Sequence, residues 1–177
     1  MRAILIVGPS EPCLPGAEVY IRVAADGSLP ASLAPNAAGM ALSVPGGGRD
    51  VAQLGAGLAL HEAESDLPDG STRVLALVES AAAVLRLPSL VGSSPRLCGI
   101  AWDAETLARD IGAKAARDTH GALIPPLALV RSKVLLVAAA AGVLAVDTAS
   151  TNDVLIRDIE EARRDGFGAK IARGLTA

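Results

Sequence analysis

RVLALVESAAAVLRL, residues 73–87, is the stretch that decides the fold. Val74 to Val78 form an unbroken apolar run, and Glu79 ends it. A helical pattern follows at once, carried by Ala82, Val84 and Leu85. A strand with no polar alternation is covered on both faces, as in a parallel sheet packed under helices. A carboxylate in such surroundings is costly unless it is compensated. Glu79 is therefore expected at an open rim of the sheet or beside a cation or metal.

Runs of the same kind recur at 3–7 (AILIV), 18–23 (EVYIRV), 39–44 (GMALSV), 97–102 (LCGIAW), 143–147 (VLAVD) and 169–172 (AKIA). Helical spacing marks 48–65, 79–87, 104–112, 126–141 and 153–165, with Gly166 as a stop after the last. Strands alternating with helices predict an α/β fold around a parallel sheet, as one domain over residues 1–177. The connection GPSEPCLPGA, 8–17, holds three prolines and is too short for an ordinary crossover helix.

Hydrophobic residues make up 51% of the chain but aromatics only 2%, so the core is built from Ala, Val, Leu and Ile. A net charge of −3 with no basic run argues against a nucleic-acid partner. Cys13 and Cys98 form neither a CxxC pair nor a disulfide framework, which fits a reduced, cytoplasmic chain. Gly8, Pro9 and Pro12 interrupt the start too early for a secretory leader. Segment 134–146 contains Gly142 and is shorter than the ~20 residues of a membrane span, so no membrane association is expected. His61 and His120 stand in no zinc-ligand spacing, and no GxSxG elbow is present.

GSTRVLALVESAAAVLRLPSLVGSSPRLCGIAWDAETLARDIGA, 70–113, resembles the central block of the citrate lyase beta-subunit family, also called the HpcH/HpaI aldolase family. There a strand ends in E[TS]A and the next leads into a GxEDLxxDLG segment. The resemblance extends through 131–150 and 158–172, and back to VYIRV at 19–23. It implies a TIM-type (β/α) barrel, shortened here or incomplete, with about seven recognisable parallel strands. Active sites of such barrels lie at the C-terminal ends of the strands. It further implies magnesium-dependent cleavage or formation of a carbon–carbon bond next to a carbonyl. The substrates would be 3-hydroxyacyl-CoA thioesters such as citryl-CoA or malyl-CoA, or related oxo-acids. Glu79 would be a magnesium ligand, and Arg22 would hold a substrate carboxylate or carbonyl in its guanidinium fork.

Several positions depart from the family pattern. Its second metal carboxylate falls on Thr106, with Glu105 adjacent and Asp103 three residues upstream as substitute ligands. Ala24 replaces the Asn after the strand of Arg22, the acidic DLED strand end is absent, and VPGGGRD, 44–50, lacks the family lysine. AKIARGL, 169–175, loses the His and Pro of GKxxIHP, and the C-terminal extension of longer members is expected to be missing. These departures leave room for a rival reading, a catalytically decayed relative serving as an assembly or regulatory subunit among other lyase-complex subunits. A doubly wound α/β binding domain is a third.

At the level of single residues, Asp103 also fits as the N-cap of helix 104–112, and Glu105 as a first-turn acid. Gly46, Gly47 and Gly48 either cradle a substrate phosphate through backbone N–H groups or form a turn. Asp147 ends a strand, where it either reaches the rim or serves the turn. With one strand fewer than the eight of the family barrel, the sheet is expected either to close with a different stagger or to leave an edge that self-association covers. A homo-oligomer is expected.

Overall fold

The computed structural model describes residues 1–8, 18–23, 29, 37–149 and 155–172. The seven apolar runs are seven strands: β1 (Arg2–Val7), β2 (Glu18–Arg22), β3 (Ala37–Ser43), β4 (Arg73–Val78), β5 (Leu97–Trp102), β6 (Leu144–Asp147) and β7 (Ala169–Ala172). All pair in parallel and in chain order. β7 pairs back onto β1, from Arg2↔Ala169 to Leu5↔Ala172, and the barrel closes. Of the two outcomes expected for a barrel one strand short, closure is the one that occurs, so this ring presents no unpaired edge. Register shifts at Val19/Tyr20 and at Val74/Leu75 accompany the closure. Cys13, Ala24 and most of the proline-rich connection 8–17 lie outside the described residues.

Helices α1 (Gly48–Glu64), α2 (Ala81–Arg86), α3 (Ala104–Asp110), α4 (Pro125–Ala141) and α5 (Leu155–Asp165) accompany the strands. A 3₁₀ turn at Leu87–Leu90 extends α2. Local chemistry sets the ends. α4 opens on Pro125 and Pro126, whose fixed φ suits a first turn, and stops at Gly142, which adopts the left-handed conformation at φ 67°. α2 is capped by the Ser80 hydroxyl, which accepts from the Ala83 N–H.

Alternation along each strand divides the apolar side chains into two cores. Ile4, Tyr20, Ala41, Leu75, Leu77, Ala101, Val146 and Ala169 fill the barrel. Ile21, Met40, Val74, Ala76, Val78, Ile100 and Trp102 face the other way, against helix residues such as Leu58, Leu107, Leu127 and Val134. A buried Val or Leu contributes roughly 1.5–3 kcal/mol, so the double coverage explains why β4 carries no polar residue between Val74 and Val78. Among the described residues no helix is long and apolar enough to cross a membrane.

Candidate functional site

Residues of inward parity that lie just past the filled interior reach the C-terminal mouth. Arg22 shares parity with Tyr20, Glu79 with Leu77, and Asp103 with Ala101. β4 and β5 pair at Val78↔Trp102, so Glu79 and Asp103 follow on neighbouring strands at the same level. The Asp103 N–H donates to the Val78 carbonyl at 3.2 Å and keeps the two chains together there.

Arg22 and Glu79 meet across β3. The Arg22 Nη1 and Nη2 groups donate to Glu79 Oε2 and Oε1 at 2.9 and 2.8 Å, a two-pronged fork. Only small residues, Ala41 and Ser43, occupy the inward positions of β3 between them. The Arg22 side chain is 43% exposed and that of Glu79 11%, so the carboxylate lies deeper than the guanidinium. The bond to Glu79 raises the Arg22 pKa further above its ordinary value, and the charge of Asp103 adds to this. The carboxylate that ends the buried strand thus stands at the rim, next to a cation.

Asp103 is the N-cap of α3, and its Oδ1 accepts from the Thr106 N–H at 2.9 Å. Among the described residues its Oδ2 takes no hydrogen bond. Thr106, where the sequence resemblance expects a second carboxylate, is neutral, and its hydroxyl accepts from Arg109 Nη2 at 3.1 Å. Glu105 does not join the other two acids. The buried face of α3 runs through Ala104, Leu107 and Ala108, and one helical step away Glu105 is on the exposed side. Among the described residues no three His, Cys, Asp or Glu side chains gather around one point. Magnesium, however, keeps several waters and is held by as few as one or two carboxylates. Glu79 and Asp103 supply two hard oxygen donors on adjacent strands, and Asp103 Oδ2 is uncommitted. The donor set fits magnesium without Glu105.

The glycine turn takes the plainer of its two expected roles. The N–H groups of Gly46, Gly47 and Gly48 donate to Asp50 Oδ2, the Val44 carbonyl and Ser89 Oγ, at 2.6, 2.9 and 2.9 Å. With their donors spent inside the protein, Gly46 and Gly47 are turn residues and not a phosphate cradle. A Cβ on Gly48 would run into the Ser89 carbonyl, which explains the glycine there. Cys98, in the barrel, bonds the Tyr20 hydroxyl at 3.4 Å and the Val74 carbonyl at 3.3 Å. Burial pushes its thiol pKa up, so it is no ready nucleophile.

Asp147 faces outward from the barrel and not into the mouth. It accepts from Trp102 Nε1 at 2.9 Å and from Arg131 and Lys170 Nζ at 3.2 Å. Beside it, a cavity of about 320 Å³ is lined by Arg117, Arg131, Asp147, Thr148, Arg157 and Asp158 among others. Its arginines are matched: Arg117 meets Asp158 at 2.7 Å and Arg131 meets Asp147 at 3.2 Å. Among the described residues it shows no buried unmatched charge with which to recruit a ligand, so the mouth is the better candidate. Glu62, on the buried face of α1, is a further carboxylate that the sequence reading did not single out. It bonds Arg96 Nη1 at 2.8 Å and the Thr72 and Gly70 N–H groups at 2.7 and 2.9 Å. Its position four residues after Leu58, on the buried face of α1, was the available signal.

A family model described as HpcH/HpaI aldolase/citrate lyase matches residues 40–172. The citrate lyase subunit beta of Leuconostoc mesenteroides subsp. cremoris is 36% identical over 113 residues, 62% of this chain and 36% of that protein. A citrate lyase subunit beta-like protein of Mycobacterium tuberculosis is 33% identical over 92 residues, 52% of this chain and 33% of that protein. The matches thus span about a third of the length of these curated relatives. A citrate lyase beta subunit from M. tuberculosis, complexed with oxaloacetate and magnesium, superposes with a TM-score of 0.69 at 21% identity, over 94% of this chain and 79% of that one. This places the closed ring among citrate lyase beta-like barrels.

Proposed function

This chain belongs to the HpcH/HpaI aldolase/citrate lyase family, and from that premise we propose that its barrel mouth makes or breaks a carbon–carbon bond beside a carbonyl, with magnesium, on an oxo-acid or a 3-hydroxyacyl-CoA thioester. The observation that carries the reading is the Arg22–Glu79 fork with Asp103 beside it, on three separate strands at the C-terminal mouth. Glu79 and Asp103 would hold the metal. Bound there, magnesium supplies positive charge that stabilises a developing enolate. Arg22 remains protonated throughout the working pH range and presents two N–H groups in a plane. It turns from Glu79 to the carboxylate or carbonyl of the substrate and fixes its orientation. The filled barrel beneath, with Leu75, Leu77 and Ala101, excludes water from below. Homo-oligomer formation belongs to the same reading, supported by exposed Leu129 and Leu136 on α4.

A non-catalytic assembly or regulatory subunit is the second reading. It is favoured by two observations: the charge of Glu79 is already matched by Arg22, and Thr106 offers no carboxylate. Calorimetric titration with pyruvate, in magnesium and in EDTA, separates the two. The lyase reading expects pyruvate binding that needs magnesium and disappears in Glu79→Gln. Pyruvate binding that is indifferent to both changes, or no binding at all, would overturn it.

A further inference from the structure

The residues on either side of Asp103 are tied to the end of β6 by side-chain hydrogen bonds. Backbone pairing between β5 and β6 ends at Ala101↔Val146. Beyond that point the ladder gives nothing to hold Trp102, Asp103 and Ala104 against β6. Side chains take over. Trp102 Nε1 donates to Asp147 Oδ1 at 2.9 Å, and the Ala104 N–H donates to Thr148 Oγ1 at 2.9 Å. The two acceptors are themselves joined, since the Thr148 N–H donates to Asp147 Oδ1 at 3.0 Å. Asp147 and Thr148 are 2% and 3% exposed. Arg131 and Lys170 fix Asp147 in turn, and the Arg131 guanidinium lies 4.8 Å from the centre of the Phe167 ring.

The need for this arrangement follows from helix geometry. The first N–H groups of a helix have no partner within it. As N-cap, Asp103 reaches the third, at Thr106, with Oδ1. The first, at Ala104, is beyond its reach and is buried against β6. Thr148 Oγ1 satisfies it and thereby sets where α3 starts. The start of α3 is Asp103 itself, so the same hydroxyl sets where Oδ2 points.

We propose that Thr148 is a positioning residue for the mouth: anchored by Asp147, it grips the Ala104 N–H and so holds the Asp103 carboxylate in place for the metal. This rests on the reading of Glu79 and Asp103 as magnesium ligands. Partners one step behind a ligand commonly change metal affinity 10–100-fold when removed.

The test uses two variants of the full chain, Thr148→Val, which keeps the shape and loses the acceptor, and Thr148→Ser, which keeps the acceptor. Magnesium affinity is measured by calorimetry, and the Ala104 amide is followed by hydrogen exchange. Thr148→Val is expected to bind magnesium about tenfold more weakly and to lose protection at Ala104. Thr148→Ser is expected to match the unmodified protein within about twofold, a rescue that a purely space-filling role would not give. Equal magnesium binding by folded Thr148→Val overturns the proposal, and so does a loss of binding in Thr148→Ser should the valine variant fail to fold. If the unmodified chain binds no magnesium, the metal reading falls, and with it the metal role of the grip. Exchange at Ala104 then still decides whether Thr148 sets the start of α3: unchanged protection in Thr148→Val overturns that as well.

Discussion

Replacing Arg22 by Met separates two roles that the fork combines. The substitution keeps a long apolar stem and removes the charge. In the structure, two charge-assisted bonds at 2.8 and 2.9 Å tie Arg22 to Glu79. A bond to a charged group contributes about 1.5–3 kcal/mol net in the interior. The Arg22 side chain is 43% exposed, so solvent screening lowers this, and about 1–2 kcal/mol is the appropriate scale for the whole fork. A metal that takes Glu79 must displace that fork. Removing it is therefore expected to tighten magnesium binding by roughly 5–30-fold, since 1.4 kcal/mol is a factor of ten. Oxo-acid binding should move the other way and fall at least about tenfold, because the planar donor pair is gone. Without magnesium the variant should also melt lower than the unmodified protein, because Glu79 is left largely buried with no cation. Saturating magnesium should restore much of the loss. Calorimetry with magnesium, then with pyruvate in saturating magnesium, reads both affinities. Unchanged or weaker magnesium binding in a folded Arg22→Met would refute the competition between guanidinium and metal for Glu79.

Thr106→Asp should strengthen magnesium binding by about tenfold by adding a hard anionic oxygen, and Arg109 can still donate to the new side chain; an unchanged calorimetric affinity would show that position 106 does not face the metal. Burial by itself would raise the Glu62 carboxyl, but Arg96 and the N–H groups of Thr72 and Gly70 outweigh it and hold it at about 2. Its unfolded value is about 4.3, so the group contributes stability in full above that pH and loses it as pH falls toward 2, about 3 kcal/mol in all. Urea unfolding at pH 7 and pH 3 should show a little over half of this drop, since pH 3 still lies above the folded value, and Glu62→Gln should flatten that part of the slope; an equal slope in the variant would contradict it.

The strands were legible because each is covered on both sides. Runs such as 73–78 and 97–102 coincide with β4 and β5, and β6 differs by a residue. Glu79 was legible because a charge at the end of such a run has few places to go, whereas Arg22 was singled out only through the family resemblance. Closure was not legible, since it depends on pairing between β1 and β7, the two ends of the ring, and on register shifts that leave no local pattern. The roles of Asp147 and Thr148 were hidden for a similar reason. Their partners, Trp102 and Ala104, lie more than forty residues away in sequence. Glu105 was read as a substitute ligand from proximity in sequence alone, and a single helical step carries it out of reach. The glycines at 46–48 look the same on paper whether their N–H groups face a ligand or their own chain, and only Asp50 and Ser89 decide.

The filled interior has a consequence for traffic. Tyr20 and Leu75 pack the bore, and Glu18, bonded to both Tyr20 and Arg2, stands on the inward face at its lower end. Among the described residues the packed bore leaves no passage from that side, so the upper opening is the route expected for whatever reaches Glu79. Glu79 sits deeper than Arg22, which stands half in solvent above it. A cation on its way to Glu79 must pass the guanidinium, and an organic acid held by the guanidinium would then cover the cation. On the proposed roles of Glu79 and Arg22, arrival is expected to be sequential, metal first and acid second, and departure to run in reverse, with the metal the last to leave.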